Sequence, residues 1–164
     1  MRLFLKNLVF TVLVPGTVTV FIPYQIIVRG GGALMADAAR LWAAGPLLVL
    51  GAAIYLWCVW DFAVTGRGTP APIDPPKHLV VRGLYRYVRN PMYVGVLLTI
   101  SGWAVLSGSW ALVKYGVGVA LAFHFFVVFV EEPTLRRQFG DAYDAYRRTV
   151  ARWVPRPARG KPST

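Results

Sequence analysis

The chain has 164 residues, of which 56% are hydrophobic and 15% are charged, and its formal net charge is +11. A soluble domain carries nearer a quarter charged residues, so this composition argues against a soluble globular protein and favours one whose surface faces lipid. The basic residues lie between and after long apolar runs and form no basic–aromatic groove pattern, so they indicate membrane topology and attraction to anionic groups instead of nucleic-acid binding.

Four apolar segments are long enough, or nearly so, to cross the ~30 Å hydrocarbon core of a bilayer. They cover residues 7–28, 41–64, 91–107 and 110–130. The first segment has no small-residue cleavage sequence, so we predict a transmembrane helix there and not a signal peptide. Only Gly108 and Ser109 separate the last two segments, which predicts a tight helical hairpin. The predicted fold is a single domain, 1–164, of an all-α integral membrane protein.

The basic residues are distributed unequally between the two sides of such a bundle. If the N-terminus is cytoplasmic, the cytoplasmic pieces are 1–6, 65–90 and 131–164, and these hold fifteen of the eighteen Lys and Arg residues. Cytoplasmic loops carry an excess of Lys and Arg in membrane proteins. The sequence therefore predicts a multi-pass protein with both termini in the cytoplasm.

Two of these cytoplasmic pieces have a structure that the sequence helps to define. The loop 65–90 begins TGRGTPAPIDPP, whose Gly and Pro content predicts irregular structure. In the C-terminal piece 134–164, apolar residues recur every three to four positions from Leu135 to Trp153, with arginines mostly on the other face. This spacing predicts one basic amphipathic helix, which lies on the membrane surface or packs over the loop.

Glu131 and Glu132 form the first candidate site, at the end of the fourth segment. Two adjacent carboxylates at a helix C-terminus repel each other and face the negative end of the helix dipole. Charged groups at membrane depth are costly and usually functional. Pro133 follows directly, so we predict that the helix ends or bends here. The alternative is a pair of interfacial anions bridged to arginines of the loop.

The second candidate site is the run RYVRNPMYVG, residues 86–95. Asn90 is a favoured N-cap and Pro91 a favoured first helical residue, which predicts the start of the third helix. A helix N-terminus with flanking arginines is suited to bind an anion. Gly95 and Gly102 share one helix face and would allow close approach of a flat ligand or, more commonly, of another helix.

Two further polar residues lie in or near the apolar segments. His124 precedes Glu131 by seven residues and shares its helix face, so it either orients a substrate or is hydrogen-bonded within the bundle. We predict that Asp61 pairs with an arginine of the loop. Cys58 is a lone cysteine in an apolar run, which is typical of packing. The sequence has no metal-binding pattern.

The run HLVVRGLYRYVRNPMYVG, a two-helix hairpin and then EEPTLRRQFGDAYDAYRRTVARWVPRP together resemble the isoprenylcysteine carboxyl methyltransferase and phospholipid methyltransferase family of membrane enzymes. The resemblance covers roughly residues 66–157. It implies a methyltransferase that uses S-adenosylmethionine at the cytoplasmic membrane face, with a lipophilic acceptor that enters from the bilayer. The Arg-His-Pro of the family is Arg89-Asn90-Pro91 here, and Asn does not titrate near neutral pH.

Carried over to this chain, the resemblance implies cofactor contacts from the loop, the first turn of the third helix and the end of the fourth. These are Lys77, His78, Leu79, Val80, Tyr85, Asn90, Pro91, Met92, Tyr93 and Glu131. Glu131, Glu132 and Arg89 are the expected catalytic residues. Either glutamate would orient the amino group of the cofactor or stabilise its sulfonium, while Arg89 or Arg86 would pair with its carboxylate.

Two other functions remain as alternatives at this point. One is an NADPH-dependent membrane reductase of the sterol reductase type, since those enzymes resemble the family in their C-terminal helices. The other is a non-catalytic membrane scaffold protein, for which Asn90 is the one hint. The sequence does not select the methyl acceptor, for which a prenylated cysteine carboxylate, a phospholipid amine and a small lipophilic acid or thiol are all candidates.

Overall fold

The computed structural model describes residues 13–30, 37–66 and 78–155, where the regular structure is almost entirely helical. Within these ranges, six α-helices follow in chain order: α1 (Ile22–Arg29), α2 (Ala38–Asp61), α3 (Pro91–Ser107), α4 (Trp110–Phe126), α5 (Glu132–Phe139) and α6 (Asp141–Thr149). A 3-10 turn, Gly83–Arg86, precedes α3. Predictions for residues 1–12, for the loop at 67–77 including Lys77, and for the tail at 156–164 lie outside the described residues.

Local sequence signals set the ends of the central helices. Asp37 caps α2, since its side chain accepts a 2.8 Å hydrogen bond from the backbone N–H of Arg40. Helix α3 coincides with the predicted segment 91–107, with Pro91 at its first position. Gly108 ends it in the left-handed conformation, φ 64°, and α4 begins at Trp110. The predicted hairpin is therefore present.

Among the described residues, two helical segments are long and apolar enough to cross a membrane, Ala38–Thr65 and Trp110–Phe139. The apolar helices Thr17–Arg29 and Pro91–Ser107 are shorter. Large apolar side chains on α2 and α4 face outward, and Trp42 and Trp110 near their first turns are 82% and 78% exposed. An apolar surface of this kind suits a lipid environment. That all four predicted segments cross the membrane remains a prediction.

Helices α2 and α3 form the most extensive helix–helix contact, and glycines allow it. A Cβ on Gly95 would lie 2.8 Å from the carbonyl oxygen of Gly51 and 3.1 Å from the backbone nitrogen of Tyr55. A Cβ on Gly102 would lie 2.7 Å from the side chain of Leu48. Of the two uses predicted for Gly95 and Gly102, the structure shows close helix packing.

Of the two outcomes predicted at Pro133, an end or a bend of the fourth helix, the structure excludes the end. A π-helical turn, Val127–Glu131, joins α4 to α5 without a break, and Pro133 lies inside the continuous segment. In this turn the N–H of Glu132 donates to the carbonyl of Val127. A π turn relaxes the hydrogen-bond ladder, so the helix accommodates a proline that lacks an N–H. The same arrangement occurs at Thr17–Phe21, which ends two residues before Pro23.

The C-terminal segment forms two short helices where we predicted one amphipathic helix. Gly140 separates α5 from α6 with φ 51° and ψ −127°, a conformation that interrupts the helix. Tyr143, Tyr146 and Val150 form a buried cluster with Leu79 of the loop. Of the two placements predicted for this segment, the described residues therefore show the one in which it packs over the loop.

Candidate functional site

A cavity of about 240 Å³ lies where the N-terminus of α3, the 3-10 turn and the α4–α5 junction meet. Its walls are mostly apolar and aromatic, with a few charged and polar groups. The lining residues are Phe62, Leu79, Val80, Tyr85, Arg89, Asn90, Met92, Tyr93, Phe126, Val130, Glu131, Thr134, Leu135, Gln138, Phe139 and Tyr146. A mostly apolar hollow with a few convergent polar groups is the usual form of a small-molecule site.

Glu131 is the carboxylate of this cavity. Its Oε2 accepts a 2.7 Å hydrogen bond from the hydroxyl of Tyr93, which lies on the first turn of α3. Among the described residues Glu131 makes no salt bridge, so its negative charge is not neutralised by an arginine. The ring of Tyr93 packs against Phe123 with centroids 4.5 Å apart, which fixes the direction of the hydroxyl. The cavity therefore holds an oriented anion in an aromatic wall.

Glu132 has a different environment from its neighbour and does not line the cavity. Nε and Nη2 of Arg152 lie 2.6 and 3.0 Å from its two carboxylate oxygens, and Nη1 of Arg89 lies 3.0 Å from Oε1. The carboxylate side chain is only 9% exposed. Adjacent side chains on a helix point about 100° apart, so one glutamate faces the cavity while the other faces two arginines.

Arg89 connects this ion-pair cluster to the cavity wall. Its side chain is 10% exposed, and Nη1 also donates a 3.3 Å hydrogen bond to the hydroxyl of Tyr143. Its Nε is buried and has no hydrogen-bond partner within the described parts of the chain. A buried guanidinium N–H without a partner is costly, and Arg89 is also one of the residues that line the cavity.

The residues after α6 fasten this arrangement to the start of α3. The backbone N–H of Arg89 donates to the carbonyl of Ala151 at 2.8 Å, and Val88 and Ala151 form a parallel bridge. The side-chain amide of Asn90 donates to the carbonyl of Arg152 at 3.2 Å. Asn90 thus acts as a buried hydrogen-bond donor to the C-terminal segment.

Two tyrosines close the side of the cavity that faces the loop. The hydroxyl of Tyr146 donates a 2.6 Å hydrogen bond to the carbonyl of Tyr85 in the 3-10 turn. Phe62 contacts the ring of Tyr85 edge to face, with centroids 5.6 Å apart. Burial raises the pKa of the Tyr85 and Tyr146 hydroxyls above the usual range, so both stay protonated and serve as donors.

The structure brings eight of the twelve predicted site residues into the lining of this cavity. They are Leu79, Val80, Tyr85, Arg89, Asn90, Met92, Tyr93 and Glu131. It does not bring the other three described ones there: His78 is exposed, Pro91 is buried at the start of α3, and Glu132 is held by arginines. Lys77 lies outside the described residues.

Sequence reasoning missed the part of the cavity that α5 and α6 contribute. Leu135, Phe139 and Tyr146 line it, although their periodic spacing was read only as one face of an amphipathic helix. The contribution of Arg152 was also missed, since an arginine in a basic segment carries no signal that singles out its partner. Nothing in the sequence indicates that Phe62 and Phe126 also line the cavity.

His124 and Asp61, two polar residues near the site, each have a hydrogen-bond or ion-pair partner within the protein. Nε1 of Trp153 lies 3.3 Å from Nδ1 of His124, so His124 is hydrogen-bonded to the C-terminal segment. Asp61 pairs with Arg82, with Nε and Oδ1 3.2 Å apart, as predicted for a loop arginine. Cys58 is fully buried in an apolar cluster with Val80 and Tyr85.

The family model for phospholipid methyltransferases matches residues 39–142, and the chain therefore belongs to this family. Within that class, the chain is similar to the protein-S-isoprenylcysteine O-methyltransferase of Schizosaccharomyces pombe (strain 972 / ATCC 24843), with 35% identity over 77 residues. The match covers 47% of this chain and 33% of the relative, so it spans about a third of the length of that protein. The resemblance inferred from the sequence motifs is thus confirmed at the level of the family.

Proposed function

We propose that the protein is an S-adenosylmethionine-dependent methyltransferase that acts on a lipophilic or lipid-linked acceptor at the cytoplasmic face of a membrane. The observation that carries the proposal is the cavity, which is lined both by Glu131, bound by Tyr93, and by Arg89. Family membership supports methyl transfer and gives no support to the reductase alternative.

The charges of the cavity suit those of the cofactor. S-adenosylmethionine carries an ammonium, a carboxylate and a sulfonium, so a matching site needs an anion, a cation donor and aromatic faces. Glu131 would hold the ammonium or stabilise the sulfonium, and Arg89 would pair with the carboxylate. Tyr85, Tyr93 and Phe62 would pack against the adenine or the sulfonium, and Leu79 to Val80 would complete the wall.

Bound S-adenosylmethionine supplies an electrophilic methyl group on a positively charged sulfur. The protein then has to orient the acceptor and exclude water, and it needs no covalent nucleophile. The apolar wall of Met92, Phe126 and Val130 would keep the site dry. The Tyr93 hydroxyl would hold the Glu131 carboxylate in one position, so this anion would be oriented before the cofactor binds.

Whether methyl transfer requires a general base depends on the methyl acceptor. A prenylated cysteine carboxylate, a lipophilic acid or a thiolate attacks without losing a proton, and for these Glu131 would act only electrostatically. A phospholipid amine loses a proton, and Glu131 would be the acceptor for it, because Glu132 is held by two arginines. We further propose a multi-pass topology with both termini cytoplasmic, so that the acceptor enters from the bilayer.

Calorimetric titration of the detergent-purified protein with S-adenosylhomocysteine, and separately with NADPH, tests the proposal. We expect micromolar binding of S-adenosylhomocysteine, lost in Glu131→Gln and kept in Asp141→Asn, a matched change at an exposed carboxylate on α6. Binding of NADPH alone would favour the reductase. Binding of neither ligand would favour the scaffold protein, and full binding by Glu131→Gln would place the cofactor elsewhere.

A further inference from the structure

A second concave surface lies outside the cavity, on the face of α5 that turns toward α6. We call it the arginine groove. It has a volume of about 500 Å³ and is more open than the cavity. Its lining residues are Val128, Glu132, Pro133, Arg136, Arg137 and Arg147. The groove thus combines three guanidinium groups with the apolar side chains of Val128 and Pro133, which form its floor.

The groove carries a net positive charge after its internal pairs are counted. Glu132 is already bound by Arg89 and Arg152, and Arg136 pairs with Asp144, with Nε and Oδ2 3.0 Å apart. The other two arginines of the groove, Arg137 and Arg147, form no salt bridge with any residue that the structure describes. Among the described residues Arg137 has a single neutral partner, since Nη2 donates to the hydroxyl of Thr134 at 3.3 Å. Two guanidinium groups therefore remain for an external anion.

The position of the groove along the helix suits a membrane boundary. Helix α4 begins at Trp110, and the ~30 Å hydrocarbon core takes up about twenty helical residues, so the helix leaves the core near residue 130. Val128, on the groove floor, therefore lies at the edge of the hydrocarbon region, and Phe129 beside it is 70% exposed. The three arginines lie beyond this edge. This step rests on the membrane placement given under the proposed function.

We propose that the arginine groove binds the headgroup phosphate of an anionic phospholipid, at a site distinct from the cavity. Arg137 and Arg147 would donate hydrogen bonds to the phosphate oxygens, because guanidinium groups bind phosphate in a bidentate manner. Val128 and Phe129 would contact the first part of the acyl chains. A groove that joins cations to an apolar floor fits a lipid, which offers both chemistries, better than it fits a free phosphate ion.

Native mass spectrometry of the detergent-purified protein, titrated with short-chain phosphatidylglycerol and with phosphatidylcholine, tests this site. We expect preferential retention of phosphatidylglycerol. Near a surface each basic residue contributes about a fivefold change in anionic-lipid affinity, so Arg137→Gln and Arg147→Gln should each weaken binding about fivefold, and the double variant about thirtyfold. Arg148→Gln, on the same helix as Arg147 but outside the groove, is the matched control and should change binding little.

The possible outcomes distinguish a specific lipid-binding site from nonspecific electrostatic attraction. Equal losses in Arg148→Gln and Arg147→Gln would overturn the proposal, since they would show diffuse attraction only. Inorganic phosphate that competes as effectively as the lipid would also overturn it, in favour of a free-anion site. Titration with S-adenosylhomocysteine and a melting curve of each variant show whether the fold is kept. A protein that binds phosphatidylglycerol but not S-adenosylhomocysteine would contradict the proposed function alone.

Discussion

The hydroxyl of Tyr93 lies 2.7 Å from Oε2 of Glu131, and this hydrogen bond joins the first turn of α3 to the π turn at the end of α4. The adjacent glutamate makes its own bonds to Arg89 and Arg152 instead. Two neighbouring carboxyl groups therefore have different surroundings: Glu131 lines the cavity, and Glu132 binds the segment after α6.

Replacement of Tyr93 by Phe removes the hydroxyl and keeps the ring that packs on Phe123. A hydrogen bond to a charged group contributes about 1.5–3 kcal/mol, so we expect S-adenosylhomocysteine to bind at least about tenfold more weakly. Calorimetric titration measures the affinity. The thermal midpoint should fall as well, because the bond is also lost from the unliganded protein. An unaltered affinity would show that the orientation of Glu131 does not depend on this bond.

The glutamate pair offers a matched comparison of stability. Glu132→Gln leaves Arg89 and Arg152 without their carboxylate, and loss of one partner of a buried ion pair costs about 3 kcal/mol or more. For a protein of this size that corresponds to a fall of about 6–12 °C in the thermal midpoint. Glu131→Gln removes a charge that has no arginine partner among the described residues, so we expect little loss of stability.

Differential scanning fluorimetry in one detergent measures both variants side by side. The comparison is informative in either direction, because the two substitutions are chemically identical and one residue apart. Equal midpoints for the two variants would contradict the assignment of a structural role to Glu132.

The crossing of α2 and α3 leads to a prediction about glycines. In Gly95→Ala the new methyl group would lie 2.8 Å from the Gly51 carbonyl, and backbone atoms cannot move aside as a flexible side chain does. Overpacking of this kind costs about 1–3 kcal/mol, so the thermal midpoint should fall. The control is Gly118→Ala in α4, where no atom of the described residues beyond the neighbouring helix backbone lies within 4 Å of the new group.

In the control, alanine replaces a glycine inside a helix, which stabilises by about 0.5–1 kcal/mol. The two alanine variants should therefore shift the midpoint in opposite directions. A Gly95→Ala protein as stable as the Gly118→Ala protein would mean that the two helices are further apart than the structure shows.

Asn90 donates a hydrogen bond and cannot act as an acid or a base, and two substitutions test its role as a donor. Asn90→Ala removes the 3.2 Å hydrogen bond to the carbonyl of Arg152 and should cost about 1 kcal/mol of stability. Asn90→His restores the family residue and keeps an N–H donor, so we expect stability nearer to that of the unchanged protein. Thermal melting of both variants checks this. An equal loss of stability in the two variants would indicate that the shape of the Asn90 amide matters more than its hydrogen bond.

Local signals in the sequence accounted well for the central hairpin. Asn90-Pro91 and Gly108-Ser109 mark helix ends by their own backbone preferences, and α3 has the bounds predicted from them. At Pro133 the same local rule left an end or a bend open, and the helix continues because the widened turn before the proline supplies a hydrogen-bond pattern that the rule does not include. Local rules work where no other part of the chain intervenes.

The candidate site likewise has parts that the local sequence predicts and parts that it does not. The run around Tyr85 and Tyr93 was predictable because it is one continuous motif followed by a helix start. The contacts of Arg152 with Glu132 and of Tyr146 with Tyr85 were not, because they join residues 20 and 61 positions apart. Several arginines of the C-terminal segment are equivalent in sequence, and only the packed structure selects the one that reaches Glu132.

The contacts of Ala151 and Arg152 with Arg89 and Asn90 also have a consequence for biosynthesis. Residues 89 and 90 leave the ribosome some sixty residues before the partners that hold them. During this interval Arg89 and Glu132 are synthesised before Arg152, which later pairs with Glu132. The ion pairs of Glu132 with Arg89 and Arg152 are therefore completed only after residue 152 has been synthesised, and a nascent chain that stalls before Arg152 would lack this part of the arrangement.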